Sequence, residues 1–156
     1  MQLDAYKMPS LIMFKKGGIM ENNCQKETCI SKTLDFILEL QKCAENANVD
    51  TTGCDKPCLG PSLNNGIVYN TRPVNLYCCQ TGTLWTMPYT LNNETGTSSV
   101  FKVTKVDCNC ATFEVLAPNS EADELIPYVG TNSYFTINLD CVSAIKCLAD
   151  TFVSGV

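Results

Sequence analysis

Eleven cysteines are the residues of this sequence whose type and number could carry chemistry. They stand at Cys24, Cys29, Cys43, Cys54, Cys58, Cys78, Cys79, Cys108, Cys110, Cys141 and Cys147. The count is odd, so disulfides inside one chain leave at least one thiol over, and a bond to another chain is its natural outlet. The local spacings are Cys-x4-Cys, Cys-x3-Cys, Cys-Cys, Cys-x-Cys and Cys-x5-Cys. None is the Cys-x2-Cys of thioredoxin-like sites or of the usual zinc knuckle, so catalytic redox exchange has little support. Three readings compete. All eleven positions are candidates for structural or intermolecular disulfides. Cys54, Cys58, Cys108 and Cys110 could instead form a four-thiolate zinc site in a cysteine-rich adaptor. Inert buried thiols are the third reading, with Cys43 at a helix end as a small apolar packing residue. The disulfide reading is preferred.

Other chemistry is largely removed by composition. Histidine is absent, and with it the commonest general base, the commonest zinc ligand and every Ser-His or Cys-His pair. Arg72 is the sole arginine, which excludes an anion clamp of several guanidinium groups. An enzyme is therefore not expected, nor a cofactor. The net charge of -5, with scattered lysines and 8% aromatic residues, argues against a nucleic-acid partner. No apolar run approaches the roughly 18 residues that span a bilayer, so no membrane partner is expected.

The elements that must position the cysteines follow from patterning. A chain of 156 residues fits one domain and buries roughly two-thirds of its unfolded surface, so it needs no disulfides to replace a missing core. Residues 1–19 carry only a short apolar stretch, Leu11 to Phe14, with Lys15 and Lys16 after it, which is not the order of a secretory signal peptide. They read as a non-native or disordered leader. LysLysGlyGlyIle before Met20 is what a purine-rich ribosome-binding site would spell in frame, so residues 20–156 are expected to form a single assembly domain starting at Met20.

Ile30, Leu34, Ile37, Leu38 and Gln41 recur at helical spacing, which predicts an amphipathic helix over Ser31 to Ala44. Ser31 is the expected N-cap, and Asp35 is expected to favour the N-terminal end. Its stripe packs either on its own sheet or on a neighbouring subunit. Residues 45–65 are polar and turn-rich and read as a loop carrying Cys54 and Cys58. Strands are expected at Ile67 to Asn70, Val74 to Cys79, Leu84 to Thr90, Ser99 to Val106, Ala111 to Ala117, Leu125 to Val129 and Tyr134 to Cys141. SSVFKVTKV and ATFEVLA, joined by AspCysAsnCys, read as a hairpin with a tight turn. Phe135, Ile137, Leu139 and Cys141 form one apolar face, and Val142 to Phe152 is ambiguous between strand and helix. The fold class is mainly β, an antiparallel β-sandwich or partly open barrel with one N-terminal amphipathic helix. On adjacent strand positions Cys78 and Cys79 point to opposite faces, so at least one is directed outward, and Cys108 and Cys110 lie at an exposed turn. In NTRP, at Asn70 to Pro73, either Pro73 shapes a turn or Arg72 makes an ion pair at an interface.

Five blocks in order carry a resemblance: ILELQKC at Ile37 to Cys43, CDKPCLG at Cys54 to Gly60, NTRP, VFKVTKVDCNCATFEVL at Val100 to Leu116, and INLDCVSAIKCLAD at Ile137 to Asp150. Together they resemble the spore-surface family that includes the coat proteins CotY and CotZ and the exosporium protein ExsY of endospore-forming bacteria. The resemblance implies a structural protein that self-assembles through ring-shaped oligomers into two-dimensional layers hardened by disulfides. Its partners are then itself and other coat or exosporium proteins, at the coat, crust or exosporium. It also implies synthesis in the mother-cell cytoplasm without a signal peptide, with oxidation following as the spore matures. The chain departs from the family near its C-terminal end, where Cys141, Val142, Ser143, Ala144 and Ile145 replace a Cys-Phe-Cys-Ala-Ile pattern, so one crosslinking position is missing. The family's terminal histidines are absent too, and metal binding through them does not carry over.

Overall fold

In a computed structural model of the protein, the described residues are 27–45, 69–121 and 126–155. The expectations placed on residues 1–19, on Cys24, Cys54 and Cys58, on the loop after Glu45 and on Ile67 and Val68 lie outside them.

Helix α1, Cys29–Glu45, buries Leu34, Ile37, Leu40, Gln41 and Ala44, the stripe that its periodicity demands. Full burial of each large aliphatic side chain contributes about 1.5–3 kcal/mol. The helix starts two residues before the expected Ser31. Thr28 is the cap: its Oγ1 accepts from the Ser31 N–H at 3.1 Å, while Ser31 Oγ accepts from the Thr28 N–H at 3.0 Å. This is a reciprocal capping box in which Ser31 takes the returning role. The earlier start leaves the first turn without an acidic residue. Asp35 therefore gains little from the helix dipole. Partial burial instead raises its carboxyl above the usual range, with Glu27 and Glu39 adding to the effect and Lys42 opposing it.

Seven strands follow: β1 Val74–Cys78, β2 Met87–Leu91, β3 Glu94–Ser98, β4 Phe101–Asp107, β5 Cys110–Pro118, β6 Tyr128–Asn138 and β7 Val142–Cys147. Five form an antiparallel sheet in the order β6-β5-β4-β1-β7, and β2 and β3 form a separate two-stranded sheet. The architecture is sandwich-like and does not close into a barrel. Helix α1 lies along β4 and reaches β7, while the β2–β3 pair packs on β5 and β6. Consecutive burial of Phe101, Lys102 and Val103 shows that β4 is covered on both faces.

The β4–β5 hairpin matches expectation, with Asp107 opposite Cys110 across a two-residue turn. Cys108 adopts φ 53°, the left-handed region that such a turn requires of its first residue. Phe113 pairs across the sheet with Phe135, their rings stacked at 5.5 Å, and Phe101 meets Phe135 edge-on at 4.9 Å. Phe101 and Phe113 sit in the core with Leu76, Val103 and Val115, and the partly buried Phe135 packs against them.

Elsewhere the elements differ from expectation for identifiable reasons. The hairpin β2–β3 turns on Asn92 and Asn93, both at positive φ, the two-residue turn that asparagine tolerates. Strand β3, GluThrGlyThrSer in order Glu94 to Ser98, has no apolar alternation to announce it, and is held by pairing and by Tyr89 lying over Gly96. A Cβ at Gly96 would stand 2.6 Å from the Tyr89 ring. Of the strands expected at Leu125 to Val129 and Tyr134 to Cys141, residues 128–129 and 134–138 belong to one strand, β6, interrupted by an irregularity around Asn132, which has φ 55°, while Leu125 lies outside the described residues. The Glu114 carboxylate accepts from the Asn132 N–H at 3.0 Å, and the Thr131 hydroxyl donates to the Val115 carbonyl at 2.6 Å. The apolar alternation also stops early. Leu139–Cys141 form a 3-10 turn, with the Asn138 side chain accepting from the Asp140 N–H, so Leu139 is buried but Cys141 is exposed. Val142–Cys147, the front of the ambiguous segment, is a strand at the sheet edge. Tyr69 and Asn70 do not belong to a strand.

Candidate functional site

Three parts of the scaffold carry the described cysteines. Helix α1 holds Cys29 and Cys43, both exposed. The expected packing role of Cys43 is therefore corrected: the stripe facing the sheet is filled by Leu40, Gln41 and Ala44, and Cys43 falls outside it. Strand β7 holds Cys147 opposite Val74, exposed on the sheet edge.

The third part gathers more of them. Cys78 ends β1 opposite Val142, and Cys79 opens the following turn, its N–H donating to the Cys141 carbonyl at 2.9 Å. The 3-10 turn that carries Cys141 is tied through the Leu139 N–H to the Asn109 carbonyl at 2.7 Å, and Asn109 lies between Cys108 and Cys110. One short turn thus connects the β1 terminus with the β4–β5 hairpin. Cys78 is half-buried while Cys79, Cys110 and Cys141 are exposed, so the outward thiol expected at the Cys-Cys pair is Cys79. Cys78, Cys79, Cys110 and Cys141 carry free thiols, as do Cys29 and Cys147. Cys108 is disulfide-bonded.

Cys78 lies in a turn rich in donors. The Thr81 hydroxyl, then the backbone amides of Thr81 and Gln80, hydrogen-bond its sulfur and hold the thiol below its ordinary range. The turn that aims these donors is closed by the Gly82 N–H on the Cys78 carbonyl at 2.8 Å, with Gly82 at φ 66°. A thiolate is the form that attacks disulfides, so this arrangement favours exchange at Cys78.

The zinc alternative is placed only in part. Cys54 and Cys58 lie outside the described residues, Cys108 is engaged in a disulfide, and among the described residues no group of three or more His, Cys, Asp or Glu is arranged to hold a metal.

Arg72, a candidate for an interface, pairs within its own chain. Its Nε and a terminal nitrogen donate to the two Asp150 oxygens at 2.6 and 2.9 Å, and this bond raises the guanidinium further above its usual value. The Arg72 N–H donates to Gln41 Oε1 at 3.2 Å, and Gln41 Nε2 donates to the Val103 carbonyl at 2.8 Å. Helix, sheet and C-terminal segment meet there.

A cleft of about 270 Å³ lies beside α1, lined among others by Gln41, Glu45, Lys102, Glu114 and Tyr134. Lys102 and Glu114 are buried cross-strand partners, and Lys102 Nζ reaches Glu45 at 3.4 Å. Partial burial, with Glu114 nearby, raises the Tyr134 phenol. Among the described residues the lining has no cysteine, serine or histidine.

Sequence reasoning missed the 3-10 turn that joins the cysteine groups. Its signal was AsnLeuAspCys, in which Asn138 can cap the turn by accepting from Asp140.

No helix among the described residues is long and apolar enough to cross a membrane. No match was found among curated proteins or solved structures. Residues 18–129 match the family described as Spore coat protein Z, a span of more than half the chain. With exposed thiols on a β scaffold and a family match of that extent, the chain belongs to the Spore coat protein Z family and has a structural role at the spore surface.

Proposed function

We propose that this protein is a non-enzymatic shell subunit that self-assembles into ordered oligomeric layers, which disulfides then harden. The carrying observation is the dispersal of exposed cysteines over a helix, a sheet edge and the end of the β4–β5 hairpin. Cysteines that served one subunit alone would be buried in pairs; these face outward from separate elements. Non-covalent contacts form first, because a disulfide needs its two Cα atoms within about 7 Å and only an ordered contact supplies that. Its partners are other copies and other coat or exosporium components. On this reading it is made in the mother-cell cytoplasm and oxidised as the spore matures, which reconciles abundant cysteine with a cytosolic origin.

Purified protein tests this directly. Non-reducing gels should show a ladder of covalent oligomers, and electron microscopy should show rings or sheets. A variant with every cysteine replaced by serine should still assemble, but its assemblies should dissolve in heat or denaturant that the oxidised wild type survives. Protein that stays monomeric at high concentration in both oxidising and reducing buffer would refute assembly.

A further inference from the structure

The outer face of helix α1 carries a pattern with its own symmetry. Cys29, Phe36 and Cys43 are spaced seven residues apart, and all three are exposed, Phe36 to 60%. Seven residues are nearly two helical turns, so the three side chains form one stripe that drifts only about 20° per step. This stripe lies beside, and not within, the face that Leu34, Ile37 and Gln41 bury against the sheet. Among the described residues, Phe36 is more exposed than the other large exposed apolar side chains, Leu84 and Tyr134.

The stripe reads the same in both directions about Phe36. In an antiparallel pair of identical helices with a two-fold axis at Phe36, the two phenylalanines meet at the axis, and each Cys29 stands beside the other copy's Cys43. Charges agree with that alignment: exposed Lys32 and Glu39 lie between the stripe residues, and the same operation sets Lys32 of one copy beside Glu39 of the other. A parallel pairing would oppose like with like at both positions.

We infer that the outer face of α1 is an isologous interface with a second copy of this chain, centred on Phe36 and closed by two Cys29–Cys43 disulfides between the copies. The inference rests on the assembly reading and names one of its contacts. The cysteines stand about 10 Å along the axis from the crossing point. Helices packed 8–10 Å apart at a shallow angle near 20° keep such positions within disulfide reach, whereas a steep crossing near 50° separates them. Each bond forms by exchange with a low-molecular-weight disulfide. One thiolate attacks it and releases the first small thiol; the thiolate of the other copy then attacks the mixed disulfide and releases the second. Two thiols are oxidised, one small disulfide is reduced, and their protons leave on the two released thiols.

Helical geometry makes the test unambiguous, because Cys29 and Cys43 are about 21 Å apart in one helix and cannot bond to each other within a chain. The full chain is oxidised with glutathione disulfide and digested with trypsin and Glu-C, which together isolate Cys29 in residues 28–32 and Cys43 in residues 43–45, and its linked peptides are identified by mass spectrometry. The Cys29–Cys43 link is expected. Phe36→Asp, at an exposed position, should lower its yield about tenfold while other crosslinks persist. Lys32→Glu should also lower it, and adding Glu39→Lys should restore it. Covalent oligomers that lack this link, or a link that persists unchanged in Phe36→Asp, would overturn the interface and leave assembly standing. Absence of both oligomers and crosslinks would overturn the assembly reading, and the interface with it.

Discussion

At the scale of single residues, Cys78 is set apart by three hydrogen-bond donors on its sulfur, from the Thr81 hydroxyl and the amides of Thr81 and Gln80. Stabilising the thiolate lowers the pH at which it becomes populated. Fast alkylation followed by peptide mapping should therefore show Cys78 reacting ahead of the more exposed Cys110 near neutral pH, despite its partial burial. Its rate should level off at lower pH than that of an unperturbed cysteine in a short peptide. Thr81→Val removes the leading donor and should move the Cys78 rate profile to higher pH, slowing alkylation severalfold near neutrality, with the Cys110 profile unchanged. A profile unmoved by Thr81→Val would mean that the donors do not control this thiol. Exposure and acidity thus make different selections among the cysteines: exposure favours Cys79, Cys110 and Cys141, whereas the turn favours Cys78.

At the scale of elements, Gln41 decides how the helix is seated. It is 1% exposed, and both ends of its amide are used, one on the Val103 carbonyl of β4 and the other on the Arg72 N–H. Gln41→Leu keeps the volume but leaves two backbone groups without partners, each costing about 1–3 kcal/mol. Chemical denaturation should show a loss of about 3 kcal/mol in all. Little or no loss would mean that water replaces the amide.

The helix and the β4–β5 hairpin were legible because each writes its period locally: apolar residues at helical spacing in one, two alternating runs around a polar turn in the other. The helix start was displaced because Ser31 carries a good capping side chain but spends it on Thr28. Strand β3 was illegible for a different reason: its residues are polar, and its partner β2 supplies the aromatic cover over Gly96. The single strand β6 read as two because the break near Asn132 interrupts alternation without ending the pairing. For the candidate site, each cysteine was visible and its outward placement at the hairpin could be foreseen. The grouping of Cys78, Cys79 and Cys141 was not, since it depends on a three-residue turn and on backbone bonds between distant segments.

At the scale of the whole molecule, residues 70–73 tie the two ends of the described fold together. Thr71 and Thr151 exchange backbone hydrogen bonds, Asn70 bonds both the carbonyl and the N–H of Val153, and Arg72 holds Asp150 with two bonds. The side chains of Arg72 and Asp150 are 28% and 25% exposed, which limits solvent screening of the pair. Arg72→Ala should cost about 2 kcal/mol, or roughly 6 °C in Tm. Arg72→Lys should recover only part of that, because an ammonium cannot make the paired contact. Thermal unfolding of cysteine-free protein measures the effect without interference from crosslinks. A Tm unchanged in Arg72→Ala would show that the backbone bonds around Thr71 suffice alone.

That lacing of helix, sheet and C-terminal segment through Gln41, Arg72 and Asp150 uses no sulfur. In the shell proposed above, a reductant would cut the bonds between subunits and the one that Cys108 makes, but not this lacing: it would release pieces whose helix, sheet and C-terminal segment are still held together. On the proposed reading, such a wall would be taken down and cast again from the same parts, its permanence set by the redox state around it and its form by the subunit.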